Sequence, residues 1–312
     1  MRVISQIGTD SPDARRVSAA HPEVELIAFE RGAPPPGLRA DAFFGGYVHW
    51  DEIGQWLDAS GAGWVQLMGT GADKVPASVF EGRVVTCARG ASAVPIAEWV
   101  MAAILSYAKR MPETYLSAPP PYWNFPDPPL DPVEGATLAL VGMGGIGTAV
   151  ARRALAFGMR VRALRRTDAP SPVAGVEIVG SLEDLLPGAA HVVLAAPATS
   201  RTERLIGSDA FALMTPGVHL VNIARGALVD QDALRVALDD GVVARATLDT
   251  VDPEPLPEGH WLYAHPSVRV AAHISWYTPA LQAAAVDIFI ENLGRYGRGE
   301  PLRHVVDPDE GY

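Results

Sequence analysis

Residues 137–164 read "TLALVGMGGIGTAVARRALAFGMRVRAL". An apolar run leads straight into glycines at 142, 144 and 147, a helical pattern follows, and a second short run, RVRAL, closes the unit at 160–164. Strand, glycine turn, helix and strand in that order are the signature of a dinucleotide site. Gly142 permits the tight turn, Gly144 lets backbone amides approach a pyrophosphate, and Gly147 lets the helix pack close to the strand. Met143, Gly145 and Ile146 complete the loop, where the helix N-terminus offers amides and partial positive charge to phosphates. The bland alternative is an ordinary glycine-rich turn; the two flanking strands and the helix favour the dinucleotide.

The next stretch, "RVRALRRTD" at 160–168, refines that reading. A site for NAD(H) places an acid about 20 residues on, to accept from the ribose 2′-hydroxyl. Here Arg165 stands 18 residues after Gly147, at the end of the second strand candidate. A guanidinium there removes repulsion toward a 2′-phosphate and adds a forked, charge-assisted donor. Arg166 and Thr167 can add to the same pocket, so NADP(H) is favoured, with NAD(H) still possible. The alternative is a solvated loop, since Arg160 and Arg162 also interrupt this strand.

Around this unit, short apolar runs alternate with helical patterns, as in parallel sheets wrapped by helices. A first series comprises VELIAF (24–29), AFFG (42–45), WVQLM (64–68) and RVVTC (83–87). A second comprises TLALVG (137–142), RVRAL (160–164), HVVLAA (191–196), VHLVNIA (218–224), RATLDT (245–250) and VRVAA (268–272). Two α/β domains follow, and 312 residues are enough for both to bury a core. Between the series, residues 94–110 are too apolar all round for a surface helix, which predicts burial between domains or subunits. Residues 118–132 hold seven prolines in fifteen and predict an extended connection.

Composition excludes several classes. A formal charge of −11 argues against a nucleic-acid partner, because neutralising phosphates needs a basic face. Cys87 is the only cysteine, so an intrachain disulfide and a cysteine metal cluster are excluded, and no metal site is expected. The N-terminus lacks the apolar core of a signal peptide and no run approaches the ~20 apolar residues of a membrane span, so a cytoplasmic protein with no membrane partner is expected.

Taken with the cofactor loop GMGGIG (142–147), the segments VQLMGTGAD (65–73), AEWVMAAIL (97–105), PATSRTERLIG (197–207), VNIARGALVDQDAL (221–234), LDTVDPEPLP (248–257) and AAHISW (271–276) resemble, in order, the motifs of the D-isomer-specific 2-hydroxyacid dehydrogenases. Among that family's branches the chain is most similar to the glyoxylate and hydroxypyruvate reductases, through the paired arginines and the AEWV helix. The resemblance implies an α/β fold of two doubly wound parallel-sheet domains, with a Rossmann cofactor domain (94–274) inserted into a flavodoxin-like substrate domain (1–93 plus 275–312). Two chain crossings would suit a hinge that closes over substrate, and a homodimer is implied.

It also implies a catalytic trio of Arg225, Glu254 and His273. Reducing a 2-keto acid demands a hydride at C2, a proton for the carbonyl oxygen and a cation for the carboxylate. Arg225 lies just past a strand candidate, where open α/β sheets place ligands, and can hold the carboxylate while polarising the ketone. His273, one of eight histidines, is the general acid, and Glu254 its carboxylate partner. Asp252 is the rival for that partnership. The resemblance places Asp249 near the nicotinamide amide, against the plain reading of a strand cap. It places Pro197 beside the cofactor, and Thr70 and Gly71 in the loop whose amides meet the substrate carboxylate.

Two departures from the family pattern stand near this site: Ala271-Ala272 where Thr-Pro is common, and Thr250-Val251 where Val-Phe often follows the aspartate. Substrate size is assigned to first-domain side chains such as Tyr47 or Trp50. The expected activity is reduction of small 2-keto acids to 2-hydroxy acids with NADPH. The alternatives are a formate- or phosphite-type dehydrogenase, or a nicotinamide-sensing regulatory protein on the same fold.

Overall fold

The central strands of the first parallel sheet, AFFG at 42–45 and WVQL at 64–67, are buried end to end, as expected where both faces of a sheet are covered. The computed structural model describes residues 1–46, 49–120, 123, 129–166 and 169–308. It divides into two units, Met1–Ser92 with Tyr277–Tyr312, and Ala93–Trp276. The Tyr47 and Thr167 positions lie outside the described residues, as does most of the proline-rich stretch.

In the first unit the elements run β1 (Arg2–Ser5), α1 (Pro12–Ala20), β2 (Glu25–Ala28), β3 (Ala42–Gly45), α2 (Trp50–Ser60), β4 (Trp64–Leu67), α3 (Ala77–Phe80) and β5 (Val84–Thr86). The sheet is parallel with order β2-β1-β3-β4-β5, the flavodoxin-like arrangement. The returning C-terminal segment packs on this sheet. In it Phe289 stacks on Phe44 with ring centroids 4.2 Å apart. Asn292 donates to the Gln66 side chain at 2.9 Å, which satisfies a buried amide pair.

The second unit runs α4 (Ala93–Ala108), β6 (Thr137–Val141), α5 (Gly145–Ala156), β7 (Arg160–Leu164), β8 (Val176–Val179), α6 (Leu182–Leu185), β9 (His191–Leu194), α7 (Ser208–Leu213), β10 (Val218–Asn222), α8 (Gln231–Asp239), β11 (Val243–Leu248), α9 (Trp261–Ala264) and β12 (Val268–Val270). The chain then returns to the first unit as α10 (Leu281–Gly297). The second sheet is parallel, ordered β12-β11-β10-β9-β6-β7-β8, so the chain reverses direction of travel between β6 and β9. Ligands of such sheets bind at that switch point, beyond the carboxyl ends of the strands.

Two strands carry no signal of their own in the sequence reading. β1 is four residues at the very N-terminus. β8 is a half-exposed edge strand whose residues do not form an apolar run. The apolar helix α4 has a local partner: Ile96, Ala97, Val100, Met101 and Ile104 join Val150, Ala151 and Ala154 of α5 in one core cluster. Burial inside its own unit therefore covers this face of the helix, against a partner the sequence expectation had not named. Among the described residues no helix is long and apolar enough to cross a membrane.

Candidate active site

The glycine loop shows why each glycine is needed. Gly142 has φ +103°, and a Cβ there would sit 2.7 Å from the Ala195 carbonyl oxygen just beyond β9. The β6 and β9 loops therefore touch at the switch point. A Cβ on Gly147 would collide with the Gly142 carbonyl, whereas one on Gly144 would meet nothing within 4 Å. Gly144 thus leaves an open face on the turn. The first bond of α5 runs from the Thr148 N–H to the Gly144 carbonyl at 2.9 Å, so the amides of Gly145, Ile146 and Gly147 precede the helical ladder. Open face and leading amides together fit a pyrophosphate. Met143 is buried among the apolar residues beneath.

Beyond β7, Arg165 is half-buried and its Nη1 donates to the carbonyls of Ala169 and Pro170 at 3.0 and 2.9 Å. Arg166 beside it is exposed. Arg162 is engaged elsewhere, donating to the Asp184 and Pro187 carbonyls at 3.0 and 2.5 Å. Pro197 opens the loop after β9, where the Thr202 hydroxyl donates to its carbonyl at 2.7 Å and accepts from the Thr199 N–H at 2.8 Å.

Arg225, Asp249 and His273 follow the ends of β10, β11 and β12. Asn222 pairs in register with Leu248, and Leu248 with Val270, so the three following segments leave the sheet along one rim. The His273 ring meets a carboxylate there: Nδ1 lies 3.1 Å from Glu254 Oε2, with both side chains only partly exposed. Glu254 Oε1 accepts the Val251 N–H at 3.3 Å, which fixes the carboxylate from behind. Glu254, not Asp252, is the partner of the imidazole; Asp252 is exposed, and its carbonyl accepts from Gln231. The contact at Nδ1 leaves Nε2 as the ring nitrogen that Glu254 does not engage.

Asp249 is buried and its carboxylate accepts the N–H groups of Ile274 at 2.8 Å and Ser275 at 3.1 Å. Thr250 and Val251, the departures noted above, are both buried, and the Thr250 hydroxyl makes no hydrogen bond among the described residues. Arg225 is half-buried at the head of a 3₁₀ turn (Gly226–Leu228). Two further residues shape this rim without having been singled out in the sequence. The Asn222 side chain spans the Arg225 turn, and a Cβ on Gly226 would strike the Val251 backbone. Asn222 lies inside the quoted VNIARG motif, and a polar residue closing an apolar strand was the available signal. Thr70 and Gly71 belong to the first unit, beyond the end of β4, where the Thr70 hydroxyl lies 3.4 Å from the Ala88 carbonyl.

A family model described as D-isomer specific 2-hydroxyacid dehydrogenase, NAD binding domain, matches residues 101–275. The chain belongs to this family. It is 34% identical over 220 residues to glyoxylate/hydroxypyruvate reductase A of Serratia proteamaculans, a match covering 69% of this chain and 68% of that protein. It is also 34% identical over 244 residues to D-3-phosphoglycerate dehydrogenase of Methanocaldococcus jannaschii, covering 77% of this chain and 46% of that protein. A D-isomer specific 2-hydroxyacid dehydrogenase of Xanthobacter autotrophicus, solved with NADPH and MES, has a TM-score of 0.79 at 26% identity over 100% of this chain and 99% of that one. The chain is accordingly an NAD(P)-dependent oxidoreductase of the 2-hydroxyacid dehydrogenase family.

Proposed function

We propose that this 2-hydroxyacid dehydrogenase reduces small 2-keto acids of the glyoxylate and hydroxypyruvate type, with NADPH as the preferred reductant. The observation that carries the reading is the His273–Glu254 contact at 3.1 Å on the same sheet rim as Arg225. The glycine loop, with Gly142, Gly144 and Gly147, holds the pyrophosphate, Pro197 and Asp249 flank the nicotinamide end, and Arg165 and Arg166 receive the 2′-phosphate. When bound, the reduced nicotinamide supplies the hydride that the keto acid takes at C2.

Arg225 binds the substrate carboxylate and polarises the adjacent carbonyl, a cation set where negative charge builds up. His273 donates its Nε2 proton to the oxygen as that charge forms. Glu254 at Nδ1 fixes the ring's orientation, so that Nε2 is the nitrogen turned to the substrate oxygen. In the reverse direction the neutral ring takes the proton back from the hydroxy acid. The enzyme works as a homodimer.

The phosphoglycerate dehydrogenase likeness keeps a phosphorylated hydroxy acid as a second substrate reading. Turnover with NADPH and NADH, against glyoxylate, hydroxypyruvate and 3-phosphohydroxypyruvate, tests both. Efficient reduction of glyoxylate or hydroxypyruvate with a preference for NADPH is expected. Preference for the phosphorylated substrate would favour the second reading, and preference for NADH would remove the 2′-phosphate role of Arg165. Cofactor binding without any turnover would mark a sensor.

A further inference from the structure

The turns that carry Arg225 and His273 are joined through two buried polar residues. Asn222 ends β10 and is 1% exposed. Its Oδ1 accepts the Ala224 N–H at 3.0 Å and its Nδ2 donates to the Arg225 carbonyl at 2.9 Å, so one side chain closes the turn from both sides. Its backbone carbonyl accepts the Asp249 N–H at 2.9 Å. Asp249, also 1% exposed, continues the path. Its carbonyl accepts the His273 N–H at 2.9 Å, and its carboxylate takes the Ile274 and Ser275 N–H groups. An unbroken series of hydrogen bonds thus runs from the Arg225 backbone to the His273 backbone.

Three features separate this arrangement from ordinary strand capping. A buried amide and a buried carboxylate are costly unless fully paired, and an apolar residue would end either strand without that cost. Here the side-chain hydrogen bonds of both residues go to the segments that carry Arg225 and His273. His273 itself has φ +54°, a conformation disfavoured for residues other than glycine, which persists only where the surroundings hold it. Gly226 closes the third side: with no room for a Cβ against Val251, the Arg225 turn lies flush on the loop leading to Glu254.

We propose that Asn222 and Asp249 are positioning residues, a buried brace that sets the Arg225 turn against the His273 turn so that guanidinium and imidazole address one substrate in a fixed geometry. The proposal rests on the roles given to Arg225 and His273 above. Neither Asn222 side-chain atom reaches substrate in this scheme; its effect passes through Arg225. A displacement of about 1 Å in such a pair lowers turnover on the order of a hundredfold.

The test is a double-mutant cycle on kcat/KM for glyoxylate, with the Kd for NADPH and the melting temperature measured beside it. Asn222→Ala is expected to lower kcat/KM by roughly 10- to 100-fold while the NADPH Kd shifts by less than about threefold. On an Arg225→Ala background the same change is expected to cost less than about threefold, because the group it positions is gone. Asn222→Ser, which keeps one hydroxyl in the turn, is expected to fall between Ala and wild type, and it carries the same cycle if Asn222→Ala fails to fold. A merely structural role would instead lower kcat/KM equally on both backgrounds, and that result overturns the brace. So does an Asn222→Ala enzyme with wild-type kinetics. A wild-type protein that reduces no 2-keto acid overturns the reading of the site, and the brace with it.

Discussion

Acid should destabilise the second unit through two histidines far from the site in sequence. His191 opens β9 and His219 lies second in β10; they are 4% and 0% exposed, with their Nδ1 atoms 3.3 Å apart. The Tyr107 ring of α4 packs over both, and Thr247 of β11 is bonded to His219 Nε2 at 2.9 Å. Burial pushes His191 down from 6.5 to about 4, with only the Asp131 charge opposing. His219 is lowered further by burial and by the neighbouring His191 and Arg245 charges.

The sign follows from comparing the folded and unfolded chains. Above pH 6.5 both keep His191 neutral and its stability contribution is whole; below it the unfolded chain gains a proton that the folded one refuses until about pH 4. At ~1.36 kcal/mol per pH unit, the ~2.5-unit gap is worth ~3.4 kcal/mol in full, of which ~2 kcal/mol is lost by pH 5. Urea unfolding at pH 7.5 and pH 5, comparing wild type with His191→Asn, measures it. The variant, weaker at pH 7.5, should lose ~2 kcal/mol less than wild type between the two pH values. Parallel pH dependence in the two proteins would refute the argument.

Other substitutions probe the fold and the cofactor end. Gly147→Ala forces a Cβ onto the Gly142 carbonyl and should weaken NADPH binding at least tenfold, read by nucleotide fluorescence; an unchanged Kd would contradict the close helix–strand packing. Phe289→Ala removes a fully buried ring stacked on Phe44 and should cost ~3–5 kcal/mol in denaturant unfolding; a loss under ~1 kcal/mol would show that α10 contributes little to the first unit. Arg165→Ser should raise the KM for NADPH roughly tenfold and leave that for NADH nearly unchanged. Equal shifts for both cofactors would return Arg165 to the role of a loop clamp, which its bonds to Ala169 and Pro170 already perform.

Most of the fold was legible because parallel strands buried on both faces write themselves as apolar runs. AFFG at 42–45, buried throughout, became a strand with the expected bounds, as did RVRAL at 160–164, where Arg160 is exposed and Arg162 half-buried. Of the strands that escaped, β8 is half-exposed, and β1, though buried over Val3–Ser5, has only Val3 and Ile4 as an apolar pair. The all-round apolar character of α4 was visible, but its partner was not, since packing on α5 is a tertiary fact. At the site, the resemblance of its ordered motifs nominated His273 and Glu254, and only the folded structure could choose Glu254 over Asp252, two residues away in the same loop. Asn222 went unremarked because its importance lies in what it bonds, and no spacing rule reports that.

A structure of the protein with NADPH and oxalate, a keto-acid mimic, tests the central claim most directly. The account predicts an oxalate carboxylate on the Arg225 guanidinium and the carbonyl-equivalent oxygen about 3 Å from His273 Nε2, with Nδ1 still on Glu254. Oxalate bound away from Arg225, or a His273 ring turned from the ligand, would contradict it.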